Sequence, residues 1–469
     1  MLREHLKGYF FSARFYRWEL LALLLFLFFA LAFGSVRYPR ETQFIFLGIC
    51  AAGVIFLLGP MVGFSFYFLT TFIRGIPLPG APVSLNQVVG VMFVLSWMNW
   101  VMRGRARLPR GKTVILMTVL FVYCLINCII SVDLEESLNY ARYLCIYYFI
   151  ALALASIIEG KIHCRILFWV ILILSTISAC LGLFELVTGI DLLTESKAMW
   201  MGRVRINGAA PNSIVFAYQL LYAFPLGYYL FSEERSFGPR FLALGLSIFI
   251  TIIALFTFNR QTILLIGFTY FFCALLYRNR YSKIFLGVVL SMMLLLSPYV
   301  LHIVLRRLQT IGKFQRDISL SVRIDGIKVG LEIIKERPFT GIGLGTYHKV
   351  WDKYLPSGET RTLQYLKKTE RYPDMSYNQI LSEGGVIGFV LSMIYFACLF
   401  WNLWSHRKRA VELRDKGLIN IYSTLFTMMC IFLLLSAIQD TFLYVRTWIM
   451  YGLILASFQS RFWEGMKSS

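Results

Sequence analysis

Residues 165–188 read RILFWVILILSTISACLGLFELVT, and only Arg165 and Glu185 in this stretch carry a charge. An apolar run of this length spans the ~30 Å hydrocarbon core of a bilayer as a helix. Similar runs recur along all 469 residues, of which 58% are hydrophobic and 15% charged. Soluble domains carry about 25% charged residues, and the continuous runs lack the alternation of a membrane β-barrel. The sequence therefore predicts an all-α polytopic membrane protein.

The apolar runs predict about 12–14 transmembrane helices. Gly59-Pro60 separates two short runs, which leaves a re-entrant pair as an alternative at that point. The predicted organisation is helices within 1–301, an extracytoplasmic loop at 302–383 and C-terminal helices within 384–469. The predicted spans are about 18–35, 43–58, 60–73, 86–102, 113–131, 138–157, 165–188, 213–231, 240–258, 261–277, 283–301, 384–402, 419–437 and 443–459.

The orientation follows from the charges of the loops, because cytoplasmic loops carry an excess of Lys and Arg. Loops 103–112, 278–283 and 403–418 are basic and fall on one side, together with both termini. We expect that side to be cytoplasmic. The net charge of +21 also raises the possibility of nucleic-acid binding, but no soluble segment is large enough to hold a nucleic-acid-binding module.

The long predicted outer loop contains an amphipathic pattern. Its apolar residues recur at helical spacing, and they are Ile324, Ile327, Leu331 and Ile334. We predict a helix over 321–337 that lies near the outer membrane surface, with Ser321 as its N-cap and Pro338 after its end. The pattern alone does not distinguish a helix that covers the bundle from one that contributes to a site.

Several arginines fall on the outer side, where the orientation rule does not call for them. The stretch RVRINGAAPN, 203–212, contributes Arg203 and Arg205. Arg142, Arg260 and Arg323 are the other three. The arginine fork suits phosphate groups, although a single arginine also snorkels to lipid headgroups. The pattern predicts an arginine-lined cavity that faces outward.

Two outer segments hold further polar candidates. Asn212 follows Pro211 where a span begins, so it either initiates the helix or helps to bind an anion at its N-terminus. Just before the predicted span 384–402, an acid could act as general base or cap the helix that follows. The candidates there are Asp374, Tyr377, Asn378 and Glu383.

The stretch PFTGIGLGTY, 338–347, contains a GxGxG pattern. No strand precedes it, so we interpret it as a turn that lets the backbone approach helices or a phosphate, rather than as a nucleotide site. The histidines and nine cysteines show no metal-binding spacing, and we expect no metal and no cofactor.

In this order, the motifs resemble the O-antigen ligase and Wzy-type polysaccharide polymerase family of bacterial inner membranes. The resemblance covers roughly 200–390 by motif and the remainder by topology. It rests on Arg205-x-x-Gly208 with Pro211-Asn212, Thr257-x-x-Arg260, Arg323, Pro338-x-x-Gly341-x-Gly343-x-Gly345, Asn378, Glu383-Gly384 and Ile387-Gly388.

The resemblance implies a GT-C-like membrane glycosyltransferase whose donor is a glycan on undecaprenyl diphosphate. A hydroxyl of the acceptor would attack the anomeric carbon without metal, and Arg205, Arg260 and Arg323 would hold the leaving diphosphate. Many family members carry histidine where this chain has Tyr377, and an unperturbed tyrosine is a poor base. Glu383, Asp374 or His348 would then take the proton, unless no strong base is needed.

Our leading interpretation is a polymerase of lipid-linked repeats in the bacterial inner membrane, with its active site facing the periplasm. The expected partners are the lipid-linked donor, a glycan acceptor and membrane lipids, and the resemblance leaves room for a chain-length regulator. A ligase that transfers the glycan to lipid A-core is the alternative. A transporter of lipid-linked sugars is a third reading, although no internal repeat supports it.

Overall fold

The structure is a computed structural model. It describes residues 60–72, 85–190, 199–200, 203–204, 206–208, 210, 212–257, 259–277, 283–284, 287–288, 291, 318–354, 375–437, 439, 441, 444–460 and 462–463. The chain forms two compact units, Met1–Ala106 and Arg107–Ser469.

Within the first unit, two helices are described, α1 (Pro60–Phe72) and α2 (Leu85–Met102). Phe64 and Tyr67 of α1 pack against Phe93 of α2, with ring centroids 5.7 and 6.4 Å apart. Thr70 donates a hydrogen bond to the Asn86 side chain at 3.2 Å. Pro60 stands at the first position of α1, where its missing N–H has no helical partner to lose. These two helices coincide with the predicted spans 60–73 and 86–102.

The second unit is a helical bundle with one two-residue β-ribbon, β1 (Met199–Trp200) paired antiparallel with β2 (Arg203–Val204). A short 3-10 helix, Trp351–Tyr354, follows the helix Tyr347–Val350. The helices of this unit are α3 (Lys112–Ile129), α4 (Leu134–Ile157), α5 (Lys161–Thr188), α6 (Ser213–Leu221), α7 (Ala223–Glu233), α8 (Phe237–Leu255), α9 (Arg260–Leu276), α10 (Ile318–Glu336), α11 (Tyr347–Val350), α12 (Ser376–Glu412), α13 (Lys416–Ser436) and α14 (Val445–Ser457).

Seven helices in the described part of the chain are long and apolar enough to cross a membrane. They are α3, α4, α5, α6 with α7, α8, α12 and α13, and the apolar helices α9 and α14 are shorter. The all-α polytopic fold predicted from the sequence is thus confirmed. The predicted spans 18–35 and 43–58, and most of 283–301, lie outside the described residues.

Polar residues at the helix ends explain several of the boundaries. Asp133 accepts a hydrogen bond from the Glu136 N–H and begins α4, and Asp415 does the same for α13 through the Leu418 N–H. Asn259 accepts from the Gln261 N–H at the start of α9. Gly189 ends α5 in the left-handed region, at φ 71°. Each cap supplies a partner to a backbone group that the helix cannot satisfy itself.

The centre of the bundle is formed by α6–α7 and α13, whose most apolar windows are 94% and 83% buried. Close packing depends on small residues, as is usual between helices in membranes. A Cβ on Gly452 of α14 would lie 2.8 Å from the Leu154 Cβ and 2.9 Å from the Ala151 oxygen of α4. The helices α4 and α14 therefore lie so close at Gly452 that no side chain fits at this position.

Two acids at the end of α7 pair with the start of α5. Glu234 is buried and accepts hydrogen bonds from Arg165 and from the Trp169 indole. Glu233 pairs with Lys161 at 2.6 Å. A buried carboxylate needs such partners, because leaving one uncompensated costs several kcal/mol, of the order of 3–5.

The amphipathic helix predicted at 321–337 is present as α10, but it begins at Ile318. Ser321 therefore lies inside the helix, and the prediction that it is the N-cap is wrong. The apolar face that packs inward contains Val329 and Ile333, whereas Ile324, Ile327 and Leu331 are exposed. The helical period was read correctly, but the sequence alone did not show which apolar stripe is covered.

Candidate functional site

The helix α12 is broken at Gly385, which has φ 60° and ψ −169°. This conformation is essentially restricted to glycine. At the break, the N–H groups of Val386 and Ile387 donate to the oxygens of Pro338 and Phe339, at 2.9 and 3.3 Å. Backbone groups outside the helix thus satisfy donors that an unbroken helix would pair internally.

The glycine-rich segment 338–345, which we call the docked loop, also donates hydrogen bonds to carbonyl oxygens of α12 beside the break. The N–H groups of Ile342 and Gly343 donate to the oxygens of Ser382 and Glu383, each at 3.0 Å. In a continuous helix those two oxygens would accept from residues 386 and 387. Four hydrogen bonds to the docked loop therefore replace two bonds of α12.

Glycine is required in the docked loop because its backbone lies against other chain segments. A Cβ on Gly341 would lie 2.3 Å from the Ser382 oxygen, and one on Gly343 2.2 Å from the Ser131 hydroxyl. Both have positive φ, 65° and 103°. The GxGxG pattern thus serves close backbone approach, as predicted from its sequence context.

Side chains of α3 and α4 hold the docked loop from a second side. The Asn127 amide donates to the Thr340 oxygen at 2.6 Å, and the Ser137 hydroxyl donates to the Leu344 oxygen at 2.6 Å. Tyr123 donates its hydroxyl proton to the Gly384 oxygen beside the break. The loop and the break therefore form one hydrogen-bonded unit with α3.

The predicted site residue Asn378 lies buried between α12 and α10. Its amide donates to the Gly326 oxygen at 2.9 Å and to the Tyr347 hydroxyl at 3.1 Å. A Cβ on Gly330 would lie 2.0 Å from the Asn378 Oδ1. Asn378 therefore fixes the crossing of α10 over α12, which brings Arg323 of α10 to the same region.

Glu383 is 3% exposed and lies at the break. Its Oε1 accepts hydrogen bonds from the Tyr347 N–H at 3.2 Å and from Gln379 Nε2 at 3.1 Å. Tyr347 begins α11, so the carboxylate lies at a helix N-terminus, where negative charge is favoured. Glu383 and Gln379 both line a small cavity between α3 and α12.

The side chain of Tyr377 is hydrogen-bonded to α13. Its hydroxyl donates to the Leu433 oxygen of α13 at 2.9 Å. It does not line the cavity that contains Glu383. Asp374, the other acid considered there, lies outside the described residues.

His348 and Lys349 tie α11 to the start of α4. Lys349 Nζ lies 3.1 Å from Asp133 and 3.0 Å from Glu136, and His348 Nε2 lies 3.8 Å from Glu136. The pKa of Asp133 is lowered, first by the Glu136 N–H and then by Lys349. His348 thus faces the acidic turn of α4.

The RVRINGAAPN stretch is anchored by a buried acid that the sequence had placed at the end of a span. Glu185 Oε2 accepts hydrogen bonds from the N–H groups of Asn207 and Gly208, at 2.6 and 3.0 Å. Gly208 has φ 54°, and a Cβ there would collide with the Phe216 ring at 2.3 Å. Asn212 caps α6 by accepting from the Ile214 and Val215 N–H groups.

The five predicted arginines are described to different extents. Arg205 lies outside the described residues, and for Arg203 and Arg260 only the backbone is described, in β2 and at the start of α9. Arg323 is half-buried on α10. Arg142 is exposed on α4, with its guanidinium 5.6 Å from the centre of the Tyr143 ring. Their convergence on one ligand stays a prediction.

Gln379 was not singled out as a site residue from the sequence. Gln379 lines the cavity beside Glu383, and its spacing of one helical turn before Glu383 was the available signal. Arg446 of α14 contacts Gln219 of α6, at 2.6 and 3.1 Å in the amide orientation that satisfies both groups. Among the described residues, no three His, Cys, Asp or Glu side chains form a group suited to a metal ion.

The fold and the site define a polytopic helical membrane protein with a loop docked into a broken helix. Residues 245–393 match the sequence model of the O-antigen ligase family. The match covers about a third of the chain and includes α9, α10, the docked loop and the first half of α12. It confirms the family resemblance drawn from the motifs and supports a membrane enzyme of the ligase or polymerase type that uses lipid-linked glycans. A search of curated proteins finds no match to this chain.

Proposed function

We propose that this chain is an inner-membrane glycosyltransferase that polymerises oligosaccharide repeats linked to undecaprenyl diphosphate. Its product would be an O-antigen, capsule or exopolysaccharide. The observation that carries the proposal is the family match at 245–393, which contains the ordered motifs from Thr257 to Gly388. The docked loop and the broken helix give those motifs a shared structural context.

We assign binding of the donor's diphosphate group to the arginines. Negative charge builds up on the departing diphosphate, so fixed guanidinium groups stabilise the transition state more than the bound substrate. Arg205, Arg260 and Arg323 are proposed to hold this group without metal, and Arg142, Arg203 and Asn212 to line its approach. The half-buried position of Arg323 beside the Asn378 crossing supports its inclusion.

We assign deprotonation of the acceptor hydroxyl to Glu383. An acceptor hydroxyl forms a bond from its oxygen to the anomeric carbon, and the bond from that carbon to the diphosphate oxygen breaks. Glu383 takes the hydroxyl proton, and undecaprenyl diphosphate leaves with the electron pair. Its buried position at a cavity wall supports this role more than the position of Tyr377, whose hydroxyl is engaged with α13.

The direct test is reconstitution of the purified full-length chain with its host's lipid-linked repeat in the absence of divalent metal. A ladder of longer lipid-linked glycans together with free undecaprenyl diphosphate is the expected result. A requirement for added metal would overturn the metal-free mechanism. Intact substrate under all conditions would overturn the enzyme and favour a transporter.

A ligase that uses lipid A-core as the acceptor is the second candidate, because the matching family model describes an O-antigen ligase. The same reconstitution separates the two functions. Transfer only after lipid A-core is added would identify a ligase, whereas transfer to a second lipid-linked repeat identifies a polymerase. Tyr377 stands where ligases and many polymerases carry histidine. Because polymerases of the family vary more in this region, the tyrosine counts more against a ligase than against a polymerase.

A further inference from the structure

At one end of the second unit, the segment before α3 and the end of α12 both contact the segment that follows α14. The Arg110 N–H donates to Gln459 Oε1 at 3.0 Å, and Gln459 Nε2 donates to the Arg110 oxygen at 3.1 Å. The Arg409 guanidinium of α12 lies 5.2 Å from the centre of the Trp463 ring. Lys112 is the first residue of α3. We call Arg110, Lys112, Arg409, Gln459 and Trp463 the basic corner.

Tertiary contacts hold the basic corner together. Asn402 Nδ2 donates to Thr113 Oγ1 at 2.9 Å, which joins α12 to the first turn of α3. The His406 ring stacks on the Phe458 ring, with the centroids 5.1 Å apart. Asn402, His406 and Arg409 recur at helical spacing, so one face of α12 meets both neighbours. The orientation rule accounts for basic residues in a loop, but it does not require that loop to bind the segment after α14.

The cations of the basic corner are open to a ligand. Arg110, Lys112 and Arg409 are exposed, and within the described parts of the chain none of the three forms an ion pair. The acids that follow Arg409 in the sequence are Glu412, which is exposed, and Asp415, which caps α13. Cations without a bound carboxylate favour an anionic ligand, and the arginine fork matches the oxygens of a phosphate.

Exposed aromatic side chains place the basic corner at the level of the lipid headgroups. Trp401 and Trp404 of α12 are 69% and 43% exposed, and tryptophan concentrates where the hydrocarbon core meets the headgroups. Arg409 follows Trp404 by five residues, which is about 7.5 Å along a helix. The headgroup region is about 5–8 Å thick on each side of the core. Arg409 therefore lies at the height of the lipid phosphates, which indicates a lipid rather than a free ion.

We propose that the basic corner binds the phosphate of an anionic phospholipid such as phosphatidylglycerol. Arg110 and Arg409 donate hydrogen bonds to the phosphate oxygens, Lys112 adds positive charge, and the Trp463 ring holds the Arg409 guanidinium in place. The bound phosphate links the segment before α3 to the end of α12, so the lipid stabilises the folded bundle. This site is separate from the proposed glycosyl transfer, and its test needs no glycan.

The test titrates the purified full-length protein in detergent with phosphatidylglycerol. Native mass spectrometry measures bound lipid, and the melting temperature is followed in parallel. Phosphatidylcholine with the same acyl chains and inorganic phosphate are the comparison ligands. Arg110→Gln and Arg409→Gln each remove one cation of the basic corner. Lys408→Gln is the matched control, because it removes an exposed cation from the stripe of α12 that contains Trp401 and Trp404.

We expect phosphatidylglycerol to bind and to raise the melting temperature. Arg110→Gln and Arg409→Gln should each weaken its binding about fivefold, the contribution of one cation near anionic lipid. Lys408→Gln should stay within about twofold of the unmodified chain, because salt screens exposed charges outside the site. Equal weakening by Lys408→Gln would overturn the proposal, since the attraction would then be non-specific.

The comparison ligands decide the chemistry of the occupant. Phosphatidylcholine that binds as tightly as phosphatidylglycerol would overturn the requirement for an anionic lipid. Inorganic phosphate that gives the same stabilisation at the same concentration would also overturn the proposal, because the ligand would then be a free ion. Stabilisation by phosphatidylglycerol alone supports it.

The unmodified protein provides a second test if a glutamine variant does not fold. Phosphatidylglycerol with a photoreactive group beside its phosphate is bound and cross-linked, and the labelled peptides are mapped. Labelling concentrated in 107–112, 405–412 and 459–463 supports the site. Labelling that is equally strong in the basic loop 278–283 overturns it.

Discussion

Glu383 differs from the other candidate side chains at the site in its burial and its contacts. It is buried, it lies at the N-terminus of α11, and it shares a cavity with Gln379. Tyr377, six positions earlier, is engaged with a backbone oxygen of α13. The two residues therefore have different expected roles, although both were candidates from the sequence.

We predict that Glu383→Gln lowers the rate of glycan transfer at least 100-fold, because a positioned general base contributes about 10²–10⁴-fold. Tyr377→Phe should keep the rate within about threefold, since it loses one hydrogen bond worth about 1 kcal/mol of stability. The measurement is the initial rate of polymer formation by purified variants, with thermal unfolding as the control for folding. The reverse ranking would show that the phenol, and not the acid, takes part in the reaction.

The ion pairs of Lys349 give a residue-scale prediction about pH. The pKa of Asp133 is lowered, first by the Glu136 N–H and then by Lys349, and the pKa of Lys349 is raised, first by Glu136 and then by Asp133. The tether between α11 and α4 is therefore fully present between the unfolded pKa values of about 3.9 and 10.4. We expect it to weaken as pH falls through the lowered pKa of Asp133, or rises through the raised pKa of Lys349.

Limited proteolysis of the 347–354 segment between pH 3 and pH 8 would measure this tether. Lys349→Met should increase cleavage at neutral pH and remove most of the additional cleavage at low pH. Cleavage of Lys349→Met that follows the unmodified chain at every pH would contradict a role for these ion pairs.

At the scale of elements, the break in α12 and the docked loop depend on each other. Four backbone hydrogen bonds join residues that are 40 or 48 positions apart, and Gly385 adopts a conformation that other residues avoid. The neighbouring Gly384 has ordinary helical geometry, and a Cβ there would meet only the Tyr123 ring, at 3.8 Å. The two adjacent glycines thus offer a matched pair of substitutions.

We predict that Gly385→Ala destabilises the protein by about 2 kcal/mol or more, because the backbone conformation costs about 1–3 kcal/mol. The added Cβ would also lie 2.3 Å from the Phe339 oxygen. Gly384→Ala should have an effect below about 0.5 kcal/mol. Thermal unfolding in detergent compares the variants, and equal melting temperatures would contradict the requirement for a break.

In the whole molecule, the arginines proposed to hold the diphosphate come from distant parts of the sequence, from the segment before α6 to α9 and α10. We predict that Arg205→Ala, Arg260→Ala and Arg323→Ala each abolish polymer formation in a folded protein. Arg107→Ala, in a predicted cytoplasmic loop, is the matched control and should retain activity. Normal polymer length in all three variants would remove the donor-site assignment.

The predicted topology is tested by reporter fusions at loop positions. Alkaline phosphatase fused after residue 352 should be active, because we expect that segment to face the periplasm. Fusions after residues 107 and 411 should be inactive as phosphatase but fluorescent with green fluorescent protein. The opposite pattern would invert the assignment of the site to the outer face.

The all-α membrane fold and the family resemblance could be predicted from the sequence. Hydropathy is a local property, so runs such as 165–188 indicate helices without any knowledge of their neighbours. The capping role of Asn212 and the glycine-rich turn at 338–347 could also be predicted, because cap and turn chemistry depend on adjacent residues.

How these elements meet could not be predicted from the sequence and became visible in the folded chain. The break at Gly385, the docked loop and the anchoring of Asn207 and Gly208 by Glu185 arise from hydrogen bonds between segments that are distant in sequence. The start of α10 and the direction of the Tyr377 hydroxyl likewise depend on tertiary contacts. Among the described residues, the Gln379 Oε1 atom is buried without a hydrogen-bond partner. That property exists only after the chain has folded around it, because burial removes the water that would otherwise supply the hydrogen bond.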